Sequence, residues 1–283
     1  MQAVFSSGSN VAALQRQSPL DALETRILLM HALGMTRIEL ITRSERVPGA
    51  EELQQLRTLV QRRIAGEPIA YLVGQREFFG LPFRVTKDVL IPRPETELLV
   101  ELALQRAAHG ARLLDMGTGS GAIAIALAHT RADLQVSALD VSAAALDIAR
   151  QNAAHNLAPG GGIHLLQSDW YAALPGGEQF GLIVANPPYI VAGDAHLGQG
   201  DLRFEPIGAL TDHADGLSAL RTIVNGAAAH LAPGGWLLME HGFDQAAAVR
   251  ALLMARGFSD VQSWLDLAGI ERVTGGVRPP QAG

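Results

Sequence analysis

The sequence predicts an α/β protein, a doubly wound parallel sheet preceded by a small α-helical bundle and a β-hairpin connector. Three observations carry that prediction. From Gly110 onward short apolar runs alternate with helical segments. A glycine-rich turn joins the first run to the first helix, and the residues before Gly74 have helical rather than strand periodicity. The 283-residue length is enough for two domains at roughly 150 residues each.

The elements follow in order. Ser18-Pro19 reads as a cap with proline at the first helical position. Leu20, Leu23, Ile27, Leu28 and Met30 then recur at helical spacing, and Gly34 ends the helix. A second helix over 51–64 aligns Leu53, Leu56, Leu59, Val60 and Ile64, and Gly66 with Pro68 closes it. Within it Arg62 and Arg63 read as a solvated face. From Gly74 to Ile91 the period shortens: Phe78, Phe79, Phe83, Val85, Val89 and Leu90 stand among Gly80, Pro82 and Asp88, the pattern of a short hairpin. Pro92 and Pro94 precede a helix over about 95–108. Strands are then expected at 112–116, 134–139, 163–167, 182–185 and 236–240, with helices at 122–129, 142–156, 217–231 and 245–256. The segments 261–265 and 270–274 suit a final antiparallel hairpin. The run Gly160 to Gly162 reads as a loop.

Composition removes whole classes of chemistry. Twenty-two basic against 28 acidic residues leave a formal charge of −6, a poor match to a phosphate-gripping surface. Lys87 is the one lysine, so no G-x-x-x-x-G-K-[ST] phosphate loop can be written. Cysteine is absent, which excludes a disulfide framework, a thiol nucleophile and a Cys-ligated zinc. The nine histidines form no H-E-x-x-H pair, and no metal site is expected. Met1 to Ala13 lacks the features of a signal peptide, and the longest apolar run, Ala122 to Ala128, is far short of the ~20 residues a membrane span needs. A cytoplasmic protein without membrane contact is the expectation.

Two motifs carry chemistry. The first strand runs into Asp115-Met116-Gly117-Thr118-Gly119-Ser120-Gly121, where glycines let backbone approach a ligand at a helix N-terminus. Asp140, 19 residues past Gly121 at the end of the second strand, is placed to accept from ribose hydroxyls. The string also satisfies the dinucleotide pattern G-x-G-x-x-G/A. Asp115, which can take a charged amino group and would repel pyrophosphate, favours S-adenosylmethionine over a dinucleotide. The second motif, Asn186-Pro187-Pro188-Tyr189, ends the fourth strand, on the side where such sheets bind ligands. The Asn186 oxygen and the Pro187 carbonyl can each accept a hydrogen from a planar NH2 group. The prolines fix that carbonyl's direction, and Tyr189 can pack on the plane.

Together these residues resemble Rossmann-like methyltransferases acting on planar nitrogens, and more narrowly the release-factor glutamine N5-methyltransferase family (PrmC/HemK). The narrower resemblance rests on Phe78-Phe79-Gly80, on Leu90-Ile91-Pro92-Arg93-Pro94-Glu95-Thr96-Glu97, on both motifs above, and on Arg203-Phe204-Glu205-Pro206 with Ala209-Leu210. It spans nearly the whole chain and departs mildly over 211–217, which is less glycine-rich than in many relatives. It implies a Rossmann-like class I methyltransferase domain over 92–283, a connector over 74–91, and a helical bundle over 1–73 that docks the substrate. It further implies methyl transfer from S-adenosyl-L-methionine to the glutamine N5 of the Gly-Gly-Gln motif in class I peptide release factors, leaving S-adenosyl-L-homocysteine. Gly117, Thr118, Gly119, Ser120, Gly121, Asp140, Trp170 and Asn186 would line the cofactor site, with Trp170 against the adenine. Asn186, Pro187, Pro188 and Tyr189 would hold the glutamine, with Asn186, Pro187 and Tyr189 catalytic. A monomer without direct nucleic-acid contact is expected.

Rival readings are methylation of a ribosomal protein glutamine, adenine-N6 methylation of DNA, and a non-catalytic S-adenosylmethionine-binding interaction protein. Arg93, Glu95 and Thr96 read equally as residues closing over the site or as the start of the following helix. Glu240 and His241 at the fifth strand's end read chiefly as structural.

Overall fold

A computed structural model describes residues 5–159 and 161–280. The predicted glycine loop at 160–162 therefore includes one residue outside the description, and the reading of Met1 to Ala13 includes four. The chain divides into two compact units, 1–75 and 76–283.

The first unit is helical: α1 (Val11–Gln17), α2 (Ala22–Leu33), α3 (Arg37–Thr42), α4 (Ala50–Ile64) and α5 (Ile69–Val73). Val11, Leu14, Leu28, Leu29, Leu40, Leu56 and Val60 form its buried core. The cap of α2 differs from the one expected at Ser18-Pro19. Asp21 does that work, accepting from the Leu23 and Glu24 amides at 2.8 and 3.0 Å, while the Ser18 hydroxyl accepts from Thr25. Aspartate three residues later satisfies two orphan donors directly, so the helix starts there. Arg62 and Arg63 pair with Glu67 and Glu24.

The second unit opens on a hairpin, β1 (Gln75–Phe78) and β2 (Leu81–Arg84), shorter than the segment expected; 85–91 leaves the ladder although Val85 and Val89 stay buried. A 3-10 turn (Pro94–Thr96) then leads into α6 (Glu97–Arg106). Beyond it come β3 (Arg112–Met116), α7 (Ala122–Thr130), β4 (Gln135–Asp140), α8 (Ala143–Asn156), β5 (His164–Gln167) and β6 (Phe180–Ala185). The chain continues through α9 (Ile207–Leu210), α10 (Ser218–His230), β7 (Leu231–Glu240), α11 (Ala246–Ala255), β8 (Ser259–Leu265) and β9 (Glu271–Val277).

The seven strands are ordered β5-β4-β3-β6-β7-β9-β8. The first five are parallel; β9 inserts antiparallel between β7 and β8. Strand pleating sorts the apolar residues onto two faces. Leu113, Leu182 and Val184 pack on one side with Leu99 and Ile125, whereas Leu114, Met116, Ile183 and Ala185 pack on the other with Ile223 and Leu253. A parallel sheet is stable only when covered on both faces, and the near-continuous apolar runs answer that need. The order reverses between β3 and β6, so a crevice opens at their carboxyl ends.

The turn after β3 depends on Gly121, which holds φ +83° at the cap of α7. An added Cβ would lie 2.7 Å from Ile125 Cδ1 and 3.2 Å from Ala149 Cβ. Positive φ and the clash act together, so Gly121→Ala should cost about 2–4 kcal/mol in urea unfolding; a change under about 0.5 kcal/mol would contradict this packing.

Candidate active site

The crevice at the strand reversal holds a cavity of about 270 Å3. Its wall includes Gly117 and Gly119 from the turn after β3, Asp140 at the end of β4, Ser168 to Trp170 after β5, and Asn186 with Pro188 after β6. Register explains the convergence. Met116 pairs with Leu139 on one side and Ala185 on the other, so the turn, Asp140 and Asn186 leave the sheet at one level.

The turn differs from the donor array expected of it. The amides of Gly117 and Thr118 both donate to Leu139 O at 2.9 Å, and that of Gly121 donates to Thr118 O at 2.8 Å. The Gly119 amide donates to Asp140 Oδ2 at 2.9 Å. With these four amides committed, the loop is poorly suited to cradle phosphates, which need free N–H groups. Each Asp140 oxygen accepts one backbone N–H, Oδ1 from Ser142 at 2.9 Å. A carboxylate has about four lone-pair positions, so capacity remains for two hydroxyls.

Thr118, Ser120 and Gly121 stand behind the cavity wall rather than in it. Thr118 Oγ1 donates to Asp115 Oδ2 at 2.6 Å, and Ser120 O accepts from Asn152 at 2.8 Å. Asn152 also exchanges two hydrogen bonds with the Arg84 backbone and so ties the hairpin to the turn. The expectation for Asp115 is corrected here. Its carboxyl is 0% exposed, outside the wall, and faces the Ala124 amide under α7, because an inward-facing position of β3 carries it below the turn. Its Oδ1 has no hydrogen-bond partner among the described residues, and burial pushes its pKa up to about 7.

Trp170 reaches the wall from a left-handed backbone, φ +47°, held by Ser168 Oγ donating to its carbonyl at 2.7 Å. The Asn186 amide nitrogen donates to Thr96 Oγ1 at 3.1 Å; its oxygen makes no hydrogen bond among the described residues. Pro187 and Tyr189 are not wall residues. Tyr189 turns its hydroxyl toward Glu240 Oε1 at 3.4 Å, and Gln245 Nε2 donates to its carbonyl at 3.0 Å.

Sequence reasoning missed a second rim. Asp88, Val89 and Leu90, together with Pro206, Gly208 and Ala209, also line the cavity. Glu205, buried, joins the two segments by accepting from the Ile91 amide at 2.9 Å and from the Arg93 guanidinium. The signal was split between two motifs more than a hundred residues apart, and neither named its partner. Of the residues left open, Arg93 thus braces the rim, Thr96 holds Asn186, and Glu95 is exposed. His241 is buried with Nδ1 against Gly242 O and Nε2 against Thr274 Oγ1. The carbonyl only accepts, so Nδ1 carries the proton and the ring is neutral, as its burial-lowered pKa requires.

Asp115 makes a pH test. Its unfolded form ionises near 3.8, so between there and about 7 the folded protein keeps a proton that the unfolded chain has lost. The stability this group contributes is therefore full below pH 4 and falls as pH rises toward 7. Asp115→Asn should flatten that decline, by on the order of 2–4 kcal/mol between pH 4.5 and 7.5. Parallel urea-unfolding profiles for the two proteins would contradict the buried, protonated carboxyl.

The comparisons with known proteins agree with this frame. A family model described as PrmC N-terminal domain matches residues 11–74, and one described as Methyltransferase small domain matches 94–199. A release factor glutamine methyltransferase of Burkholderia pseudomallei is 59% identical over 278 residues, covering 96% of this chain and 98% of the relative. One from Bordetella pertussis is 53% identical over 262 residues, covering 91% and 95%. A solved methyltransferase from Pyrococcus furiosus shares the fold at TM-score 0.54 and 19% identity, over 78% of this chain and 98% of that one. Likeness of this extent, on a sheet whose reversal point gathers both motifs, shows that the chain belongs to the release factor glutamine methyltransferase family.

Proposed function

We propose that the chain methylates the side-chain N5 of the glutamine in the Gly-Gly-Gln motif of class I peptide release factors, using S-adenosyl-L-methionine and leaving S-adenosyl-L-homocysteine. One observation carries the chemistry. Asn186, its amide oxygen uncommitted, opens on the same cavity as Asp140 and a glycine turn with four spent amides. Such a cavity suits an adenosine without phosphates beside a planar NH2 group. The names of the relatives supply the substrate.

The bound cofactor supplies a methyl group on a sulfonium. Asp140 accepts from the ribose hydroxyls, and Trp170 lies against the adenine. Gly117 and Gly119 keep the floor of the cavity clear, having only open space where a Cβ would stand. Thr118, Ser120 and Gly121 shape the turn from behind. The Asn186 oxygen and Pro187 carbonyl each accept one hydrogen of the glutamine amide, which turns its nitrogen lone pair toward the methyl group. Pro188 narrows the mouth and Tyr189 packs beside the amide plane. This is catalysis by orientation, an effect that offsets roughly 7–11 kcal/mol of barrier. The first unit docks the release factor; Leu23, Ile38 and Ile41 are exposed apolar residues available for it. No helix among the described residues is long and apolar enough to cross a membrane. A monomer working in the cytoplasm completes the proposal.

The rival with specific support is adenine-N6 methylation, which needs the same acceptors, but the −6 charge opposes DNA binding. The test is transfer of labelled methyl from S-adenosylmethionine to a purified release factor, with the label mapped by mass spectrometry. Label on the Gly-Gly-Gln glutamine is expected; label only on DNA or on a ribosomal protein would overturn the reading. Asn186→Ala should lower kcat at least about a hundredfold while cofactor affinity changes less than about threefold. Substantial residual turnover would contradict the amide clamp.

A further inference from the structure

We propose that Thr96 and Glu240 are positioning residues that determine which end of the Asn186 side-chain amide faces the cavity. The inference rests on the reading above and extends it to two residues outside the cavity wall.

An asparagine amide is nearly symmetric in shape but opposite in hydrogen bonding at its two ends. A substrate NH2 needs the oxygen end. Inversion would set NH2 against NH2, and nothing in the Asn-Pro-Pro-Tyr sequence itself prevents that. The fold supplies the missing constraint from two other elements. Glu240 ends β7, which pairs in parallel with β6 so that Met239 stands beside Ala185; Glu240 and Asn186 are the next residues of the two strands. Thr96 closes the 3-10 turn before α6. Thr96 and Glu240 are both buried.

The proton count then has one solution once Glu240 is ionised. Thr96 has one hydroxyl hydrogen, and no backbone carbonyl takes it among the described residues. The hydroxyl faces the Glu240 carboxyl, whose Oε2 is buried without a partner among the described residues. Tyr189 directs its own hydroxyl at the same carboxyl, 3.4 Å from Oε1. Once ionised, the Glu240 carboxylate is acceptor only, so it draws the Thr96 hydrogen. Thr96 Oγ1 can then only accept from Asn186, and it does so from Nδ2 at 3.1 Å. The chain of donation runs Asn186 to Thr96 to Glu240, which leaves the Asn186 oxygen pointing into the cavity. A buried polar group without a partner costs free energy, so this residual demand of Glu240 sets the direction.

The test separates hydroxyl chemistry from shape. Thr96→Val keeps the branched outline and removes the hydroxyl; Thr96→Ser keeps the hydroxyl. Thr96→Val should lower kcat about 30- to 100-fold with KM for the release factor and cofactor affinity changed less than about threefold, while Thr96→Ser stays within about threefold of wild type. A readout independent of turnover is the NMR signal pair of the Asn186 side-chain NH2, identified by its loss in Asn186→Asp. Its exchange with water should accelerate about tenfold or more in Thr96→Val and be restored in Thr96→Ser. Glu240→Gln offers an NH2 donor to Thr96 and should also accelerate that exchange, which decides the matter if Thr96→Val folds poorly. Unchanged Asn186 exchange in the variants, or equal loss of kcat in Thr96→Val and Thr96→Ser, would overturn the proposal. Absence of methyl transfer in the wild type would instead count against the methyl-transfer reading, and the NMR comparison stands apart from it.

Discussion

Parallel pairing of β6 between β3 and β7 is the constraint on which the candidate site depends. Because parallel partners leave a sheet on the same side, the residues that follow Met116, Ala185 and Met239 emerge together. Gly117, Asn186 and Glu240 are those residues. Everything else at the crevice is arranged against this row: Asp140 one strand further out, the 3-10 turn before α6 above it, and the two rim segments joined through Glu205. A one-residue slip of β6 would turn the buried Leu182 and Val184 to the opposite face and carry Asn186 away with them, so core packing and site geometry are held by the same register.

Buried polar groups do the remaining work, and they do it by commitment. The amides of the glycine turn are spent on Leu139, Thr118 and Asp140, which makes the turn rigid and unsuited to phosphate. Asp115 stays beneath the turn as a carboxyl that holds its proton below neutral pH, sharing an oxygen with Thr118. Glu240, whose pKa burial also raises to about 7, stands beside Thr96 and Tyr189. Both acids cost stability when ionised in the interior, and that cost is the expected signature of groups retained for what they orient.

The sheet and both motifs were legible because they are local. Strand and helix periods, the Gly117 to Gly121 turn and the Asn186 to Tyr189 tetrapeptide can each be read within a short window, and Asp140 follows from the spacing of one βαβ unit. What stayed hidden is long-range. The bond from Asn186 to Thr96 spans 90 residues and that from Glu205 to Ile91 spans 114, and neither leaves a periodic trace. Spacing gives the place of Asp115 on β3, which suggests a ligand group, but not its depth under α7. The proline at 19 points to a helix start at Ser18-Pro19, whereas the better side-chain cap, Asp21, lies three residues on.

The proposed clamp consists of two fixed acceptors, the Asn186 oxygen and the Pro187 carbonyl, set against a planar NH2 group beside the cofactor cavity. The direct measurement is a crystal structure with S-adenosyl-L-homocysteine and a release factor domain carrying the Gly-Gly-Gln motif. The clamp places the glutamine amide nitrogen within hydrogen-bond reach of both oxygens, at about 2.7–3.2 Å, with the Asn186 nitrogen still on Thr96. A glutamine held elsewhere, or one meeting the nitrogen end of Asn186, would contradict it.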